Sequence, residues 1–576
     1  MSANLAEDLH DPAQNAVEAV YSCIRDGNLS RLQELLASSP YPDLGHVHLQ
    51  HGPPLHFAAG CGDLEAEKLL LAAGADPLLI DRRTRRIRPI GWAAMNGHRD
   101  VVRHLWTCGP PEEQTKPLDH VKSPLRAAGE YGHAQIVEDL MSWDGWPKDH
   151  LEQVLSYATA DWDYNVVARL FKSDLLDRKS ATQALFGAIN SNKAWLRGVS
   201  EGFDYINQQR LIELFISAGA DLNHSISGSG YPLVCKAASN ANLTGALTIL
   251  LEKGAEPNVR LPHSGATALH ILALPVPVGG QDSGRKVLNE VAVKLLLQHR
   301  ASVTLLDNNG DSSIQLAAYG SDLRFFCLYL CPFPNRLRDE STLMALTNEH
   351  KETLLHYAAA GCCVEIMEYL ISRGLDINAK STQGWTPLMC ALTPSSMPPY
   401  NRGAVTVTTA SQATQAAQCL LSYGADPLVV TAEGWTPLHA LALHCDLDLR
   451  LHVGKVCELT AQLIARGVNP EARAPLLTYL RTSDDQLGMP WGHRVSDTMM
   501  NASPRSWIIQ PSLTPLHWAA QRGATGVVRA LVAAGADISL TDGSGVSALE
   551  MARDSKALAV RTEAADVIVG LLWRDI

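Results

Sequence analysis

Any chemistry in this chain has to come from its cysteines, histidines and carboxylates, and their spacing decides against most reactions. His444-Cys445, His452 and Cys457 lie close together but lack the paired short spacing of a zinc site. Cys327 and Cys331 are four apart and can share a helix face, yet no second ligand pair follows. Cys362-Cys363 sits just after Gly361, a residue placed to end a helix. Thiols packed between helices explain all of these better than ligands or nucleophiles. Asp446 and Asp448 read as solvated loop carboxylates. The sequence holds no P-loop, no dinucleotide-binding Gly-rich turn and no Gly-x-Ser-x-Gly elbow. The expectation is therefore no catalytic residue, no metal and no cofactor. Five histidines remain, His56, His270, His356, His439 and His517, and they share one local context.

That context is clearest at Ser512-Leu513-Thr514-Pro515-Leu516-His517-Trp518-Ala519-Ala520-Gln521-Arg522-Gly523, closed by Ala534-Gly535-Ala536-Asp537. Thr-Pro starts a helix, because the missing proline N–H would be unpaired in a first turn anyway. Leu516, Ala519 and Ala520 give the helix an apolar face, and Gly523 turns the chain. Val527, Val528, Leu531 and Val532 stripe a second, antiparallel helix, which Gly535 terminates. So small a pair cannot bury its own apolar face and needs a copy on each side. Copies follow at a period of about 33 residues, some worn, some stretched by insertions. Pro54-Leu55-His56, Pro89-Ile90-Gly91, Pro124-Leu125-Arg126, Pro232-Leu233, Thr267-Ala268-Leu269-His270, Ser312-Ser313-Ile314-Gln315, Thr353-Leu354-Leu355-His356, Thr386-Pro387-Leu388 and Thr436-Pro437-Leu438-His439 head them.

The unit resembles the ankyrin repeat, whose Thr-Pro-Leu-His-x-Ala signature stands nearly intact at Thr514–Ala519. The resemblance implies an all-α ankyrin-repeat solenoid of about thirteen helix–loop–helix units joined by β-turn fingers. It implies binding rather than catalysis, on a concave face made by the fingers and the first helices. It also implies a structural role for the five histidines, each bridging backbone groups of adjacent fingers. The residue before Thr-Pro falls on a finger flank, which draws attention to Trp385, Trp435 and Leu513. Exposed tryptophans at equivalent places would serve as partner-binding anchors. Packed on the next finger, they would merely stiffen it, and the sequence leaves both readings open. The finger 81–88 carries Arg82, Arg83, Arg85, Arg86 and Arg88, a basic run in an acidic chain. It reads first as a solvated turn paired with neighbouring acids. As a contact it would grip an acidic peptide, a phosphate or nucleic acid, or serve as a nuclear-import signal.

The division read from these patterns runs as follows. Residues 1–12 form a disordered N-terminus. Residues 13–143 hold an N-terminal cap and repeats, and 144–223 degenerate repeats. Residues 224–470 hold repeats with long internal loops, 471–511 an irregular insertion, and 512–576 a repeat and C-terminal cap. The insertions 191–206, 275–286, 393–412 and 446–453 all fall between the two helices of their repeats, where drift is tolerated and function sometimes sits.

A net charge of −12 over 576 residues favours solubility and argues against nucleic acid as partner. The N-terminus has no secretory pattern, and no apolar run approaches a membrane span. The 12 cysteines lack a disulfide rhythm, and Cys235, Cys327, Cys419 and Cys457 fall on apolar helix faces. Reduced thiols and a cytoplasmic or nuclear site follow as expectations. Nothing points to a homo-oligomer. The function expected is a scaffold or adaptor for partner proteins. A substrate-recognition subunit of a ubiquitin-ligase or signalling complex is the alternative. A biosynthetic accessory enzyme built from the inserted segments is the remote one.

Overall fold

The computed structural model describes residues 12–38, 44–45, 52–81, 86–109, 122–143, 146–173, 175–190, 205–223, 231–277, 286–330, 340–395, 408–444, 453–479, 507–554 and 562–573. The disordered N-terminus expected for 1–12 lies outside them, apart from Pro12, which opens a helix. The chain forms two compact units. The first is Met1–Ile226 with Glu252–Gly254, and the second is Ser227–Leu251 with Ala255–Ile576.

The first unit is a series of helix pairs. They are α1 (Pro12–Asp26) and α2 (Leu29–Ala37), α3 (Pro54–Cys61) and α4 (Leu64–Ala72), α5 (Pro89–Asn96) and α6 (Arg99–Cys108). Then come α7 (Pro124–Glu130) and α8 (Ala134–Ser142), α9 (Lys148–Ala160) and α10 (Tyr164–Leu170), α11 (Arg178–Ile189) and α12 (Ile206–Ser217). The second unit continues the pattern. Its pairs are α13 (Leu233–Ala238) and α14 (Thr244–Glu252), α15 (Ala268–Leu272) and α16 (Glu290–Gln298), α17 (Ser313–Gly320) and α18 (Leu323–Leu330). A short α19 (Glu340–Met344) precedes α20 (Leu354–Ala360) and α21 (Val364–Ser372). The last pairs are α22 (Pro387–Leu392) and α23 (Ala410–Ser422), α24 (Pro437–Ala442) and α25 (Val453–Ala465), α26 (Pro515–Arg522) and α27 (Thr525–Ala533), α28 (Ala548–Asp554) and α29 (Thr562–Trp573). The fold is an all-α ankyrin-type solenoid.

Local chemistry sets these elements. Proline occupies the first turn of α3, α5, α7, α22, α24 and α26. Asn28, Asp63, Asp163 and Asn289 cap second helices, each side chain accepting from a backbone N–H three residues on. Buried alanines such as Ala58, Ala59, Ala93, Ala94, Ala127 and Ala128 let each first helix lie close on the next. The left-handed position after the first helix is glycine at Gly62, Gly97, Gly132 and Gly523. Trp162 and Cys362 take that conformation without the glycine, as do Arg300 after α16 and Arg86, Lys351 and Ser512 in the fingers.

Among the described residues, strands are confined to insertions and the finger they extend. Val276–Pro277 (β1) pairs antiparallel with Lys286–Val287 (β2) at the base of the loop between α15 and α16. The 471–511 segment is not irregular at its two ends. Ala474–Tyr479 (β3) and Trp507–Leu513 (β4) form an antiparallel ribbon, with Leu477 opposite Ile509 and Tyr479 opposite Trp507. It extends the finger between α25 and α26.

Candidate partner-binding face

The motif histidines set the stacking distance between fingers. In α15, α20 and α24 the ring Nδ1 accepts from the N-cap threonine N–H, at 3.1 Å for His270, 3.0 Å for His356 and 3.2 Å for His439. Nδ1 also meets the threonine hydroxyl at 2.8–2.9 Å. The hydrogen-bond network therefore assigns the proton to Nε2. Nε2 then donates across to the following finger: to the Asp311 carbonyl from His270, Trp385 from His356 and Leu513 from His439, at 3.1–3.2 Å. His56 reaches Ile87 in the same way at 3.1 Å. Its Nδ1 has no partner, because Pro53 at the cap supplies neither N–H nor hydroxyl. His517 keeps the hydroxyl contact, 2.8 Å from Thr514. Burial lowers the pKa of all five rings, to about 4 for His56 and His439.

A second set of ties joins the far ends of the first helices. His98 Nε2 meets the Gly60 carbonyl and His133 Nε2 the Met95 carbonyl, both at 2.9 Å. His444 Nε2 meets the Leu392 carbonyl at 3.0 Å. Ser395 closes the base of the 393–409 loop by exchanging bonds with Thr408 at 2.9 and 3.1 Å. Its hydroxyl donates to the Ala360 carbonyl and lies 3.2 Å from the Tyr319 hydroxyl.

The tryptophans proposed as exposed anchors are inside. Trp385 and Trp435 are both 0% exposed, and Leu513 is equally buried. The ring centroids of Trp385 and Trp435 are 5.5 Å apart, and Trp435 meets Trp518 edge-on at 4.5 Å. Trp518 in turn stands 4.9 Å from the His439 ring. Three large rings from consecutive pairs thus fill one interior site, and a partner would have to unpack them to touch them. None of the three indole N–H groups has a hydrogen-bond partner. Leu513 serves through its carbonyl, which holds His439. Arg82, Arg83 and Arg85 lie outside the described residues. Arg86 is exposed on its finger, and Arg88 is buried.

One row of open side chains is on the first unit. First helices α3, α5, α7 and α9 pack in succession. Each presents at least one partly or fully exposed aromatic or cationic group, Phe57, Trp92, Arg126 and Tyr157 among them. Trp92 lies over Gly60 of α3, where an added Cβ would stand 3.1 Å from the indole. The Arg126 guanidinium sits 4.7 Å over the Tyr157 ring and donates to its hydroxyl at 2.6 Å. Tyr131, 47% exposed, stands just beyond α7. Phe57 and Trp92 occupy the variable place after the motif histidine position. That signal was in the sequence, but Trp518 and Tyr357 occupy the same place and are buried.

Comparison with known families agrees with this geometry. The ankyrin repeat family matches residues 53–82 and 513–543, and the family of ankyrin repeats in many copies matches 355–394. The chain carries ankyrin repeats. The nuclear factor NF-kappa-B p105 subunit of Gallus gallus is 30% identical to it over 152 residues, 26% of this chain. The match spans 13% of that relative's length.

Among the described residues of this ankyrin-repeat chain, no group of three or more His, Cys, Asp or Glu side chains is arranged to hold a metal ion. No described helix is long and apolar enough to cross a membrane. Burial pushes the Cys235, Cys362 and Cys363 thiols up to about 12, so none is a ready nucleophile. Cys235 is buried, whereas Cys327, Cys419 and Cys457 are half-buried, less enclosed than their helix positions suggested. Glu67, Asp81 and Glu352 are carboxylates fully enclosed by the fold. Glu67 Oε1 bonds His104 Nδ1 at 2.8 Å, Oε2 has no partner, and burial raises its pKa.

Proposed function

We propose that this ankyrin-repeat protein is a scaffold or adaptor that holds a partner protein on the first-helix face of its N-terminal unit. The observation that carries the reading is the row Phe57, Trp92, Arg126 and Tyr157 on four successive first helices. Aromatic side chains bury much area for little lost rotamer freedom, and arginine is enriched beside them at binding hot spots, which suits the row to anchor a partner. The inert thiols and the structural histidines support a non-catalytic role. Service as a substrate-recognition subunit would use the same face. We place its work in the cytoplasm or nucleus, on the reading of its cysteines as reduced.

Affinity capture from the native cell, followed by mass spectrometry, tests the proposal. A partner should be retained by the intact chain and lost from a Trp92→Ala, Tyr157→Ala variant whose thermal unfolding stays close to that of the parent. A partner held equally by both, or a bound small molecule with no protein partner, would overturn it.

A further inference from the structure

We propose that the Glu67–His104 pair makes the junction between α4 and α6 a proton-operated joint. It tightens when the pair takes up one proton and loosens when the pair gives that proton up. The joint itself does not depend on the adaptor reading.

Ion pairs tie the second helices of the first unit in succession. From α6 to α8, Arg99 and Arg103 both hold Asp139, at 2.6 and 2.9 Å. From α8, Glu138 takes Arg169 of α10 and Lys172 just beyond it, both at 3.1 Å. Arginine and lysine keep their charge through the neutral range, so those ties need no added proton. The tie from α4 to α6 is built differently. Its acid, Glu67, is fully enclosed, and its partner is an imidazole, His104, 31% exposed. Oε1 meets Nδ1 at 2.8 Å, and Oε2 has no partner.

The surrounding groups leave that carboxylate uncompensated. On α4 itself, Lys68 is bonded to Glu65 at 2.6 Å. On α2, the exposed Arg31 is bonded to Glu34 at 2.8 Å. Helix α3 carries no Lys, Arg, Asp or Glu, and its His56 is turned to the Ile87 carbonyl. On α6, Arg99 and Arg103 are committed to Asp139, and Asp100 is exposed. Cys108 Sγ stands 3.9 Å from His104 Nδ1. Partial burial, and then the Glu67 charge, raise that thiol, so it stays neutral.

A neutral imidazole can donate Nδ1–H to Oε1, but a full negative charge then stays buried on one hydrogen bond. One proton on either partner removes it. Carboxylate then faces imidazolium, or carboxyl faces imidazole, and the net charge is zero in both. Burial raises the Glu67 carboxyl, in the same direction. Opening the junction hydrates the carboxylate and releases the proton. The closed form therefore binds more protons, so closure strengthens as pH falls and weakens as pH rises through the pair's raised value. That sign is opposite to the motif histidines, which must stay neutral. Phe57 and Trp92 stand on the first helices of the same two pairs. On the adaptor reading, a partner spanning both is held more tightly in mild acid.

The test is hydrogen exchange with peptide-level mass analysis on the full-length chain, at pH 7.5 and pH 5.5, corrected for the intrinsic exchange rate. In the parent, α4 and α6 amides should exchange about tenfold more slowly at pH 5.5, since one bound proton changes an opening equilibrium by up to about tenfold per pH unit. Helices α8 and α10, tied by arginine and lysine, should show no such gain. Glu67→Gln should abolish the gain in α4 and α6. His104→Arg, which supplies a fixed cation, should abolish it too and carries the comparison if Glu67→Gln does not fold. A parent without the gain, an equal gain in α8 and α10, or a gain kept in either variant would overturn the proposal. No partner is present in these measurements, so the adaptor reading stands or falls separately.

Discussion

His439 and His444 should make the second unit sensitive to mild acid. Both rings are fully buried, with pKa lowered to about 4 by burial. His439 Nδ1 must keep its lone pair to accept the Thr436 N–H, so a second ring proton would set donor against donor. The folded pKa lies below the unfolded one of about 6.5, so the stabilisation is complete above pH 6.5 and disappears as pH falls toward 4. At pH 5 the linkage relation gives a loss of about 2 kcal/mol for each ring, about 4 kcal/mol for the two. His270, His356 and His517 shift in the same direction and add to it. The assay is urea unfolding at pH 7.5 and pH 5, compared between the parent and a His439→Gln, His444→Gln variant. Glutamine can take the first position, because Gln315 already caps α17 by accepting the Ser312 N–H at 2.9 Å. The variant should lose about 4 kcal/mol less than the parent on acidification. An identical acid loss in both proteins would refute the assignment of neutral, titratable bridges.

Four further outcomes are expected. Trp435→Ala should cost about 3–5 kcal/mol in unfolding free energy, as a buried aromatic does; an unchanged melting temperature would return Trp435 to the surface. Trp435→Phe should cost much less, since it also removes an indole N–H that has no partner. Lys351→Gly should raise stability by about 0.5–1 kcal/mol, because Lys351 holds φ 61 where other fingers use glycine; a lower urea midpoint would contradict this. Brief treatment with a thiol-alkylating reagent, followed by peptide mass mapping, should label the exposed Cys61 and Cys108 well before Cys235.

The repeat was legible because its rules are local. Proline at the first turn, glycine at the left-handed position and paired small residues are all decided within a few residues. The sequence could not show which side of a large residue would be covered. Trp385 and Trp435 satisfy every local rule for a finger flank, yet Trp518, more than 80 positions later, completes the cluster that encloses them. Arg126 was missed for the opposite reason. It stands where the motif has histidine and reads as a worn copy, until Tyr157 of the next pair fixes it. The ribbon at 474–513 was hidden because its strands are separated in sequence and pair only with each other.

That ribbon bears on how the chain folds. The His356 bridge closes over 29 residues, whereas the His439 bridge to Leu513 closes over 74. Loop closure at the longer span costs about 0.8 kcal/mol more in chain entropy. Every other junction in this unit can zip from a neighbour already formed, as short-range contacts allow. The junction between α24 and α26 must instead wait for a distant stretch of chain to return. It is therefore the natural pause in assembly, dividing the second unit into a block that ends at α25 and a C-terminal block that docks afterwards.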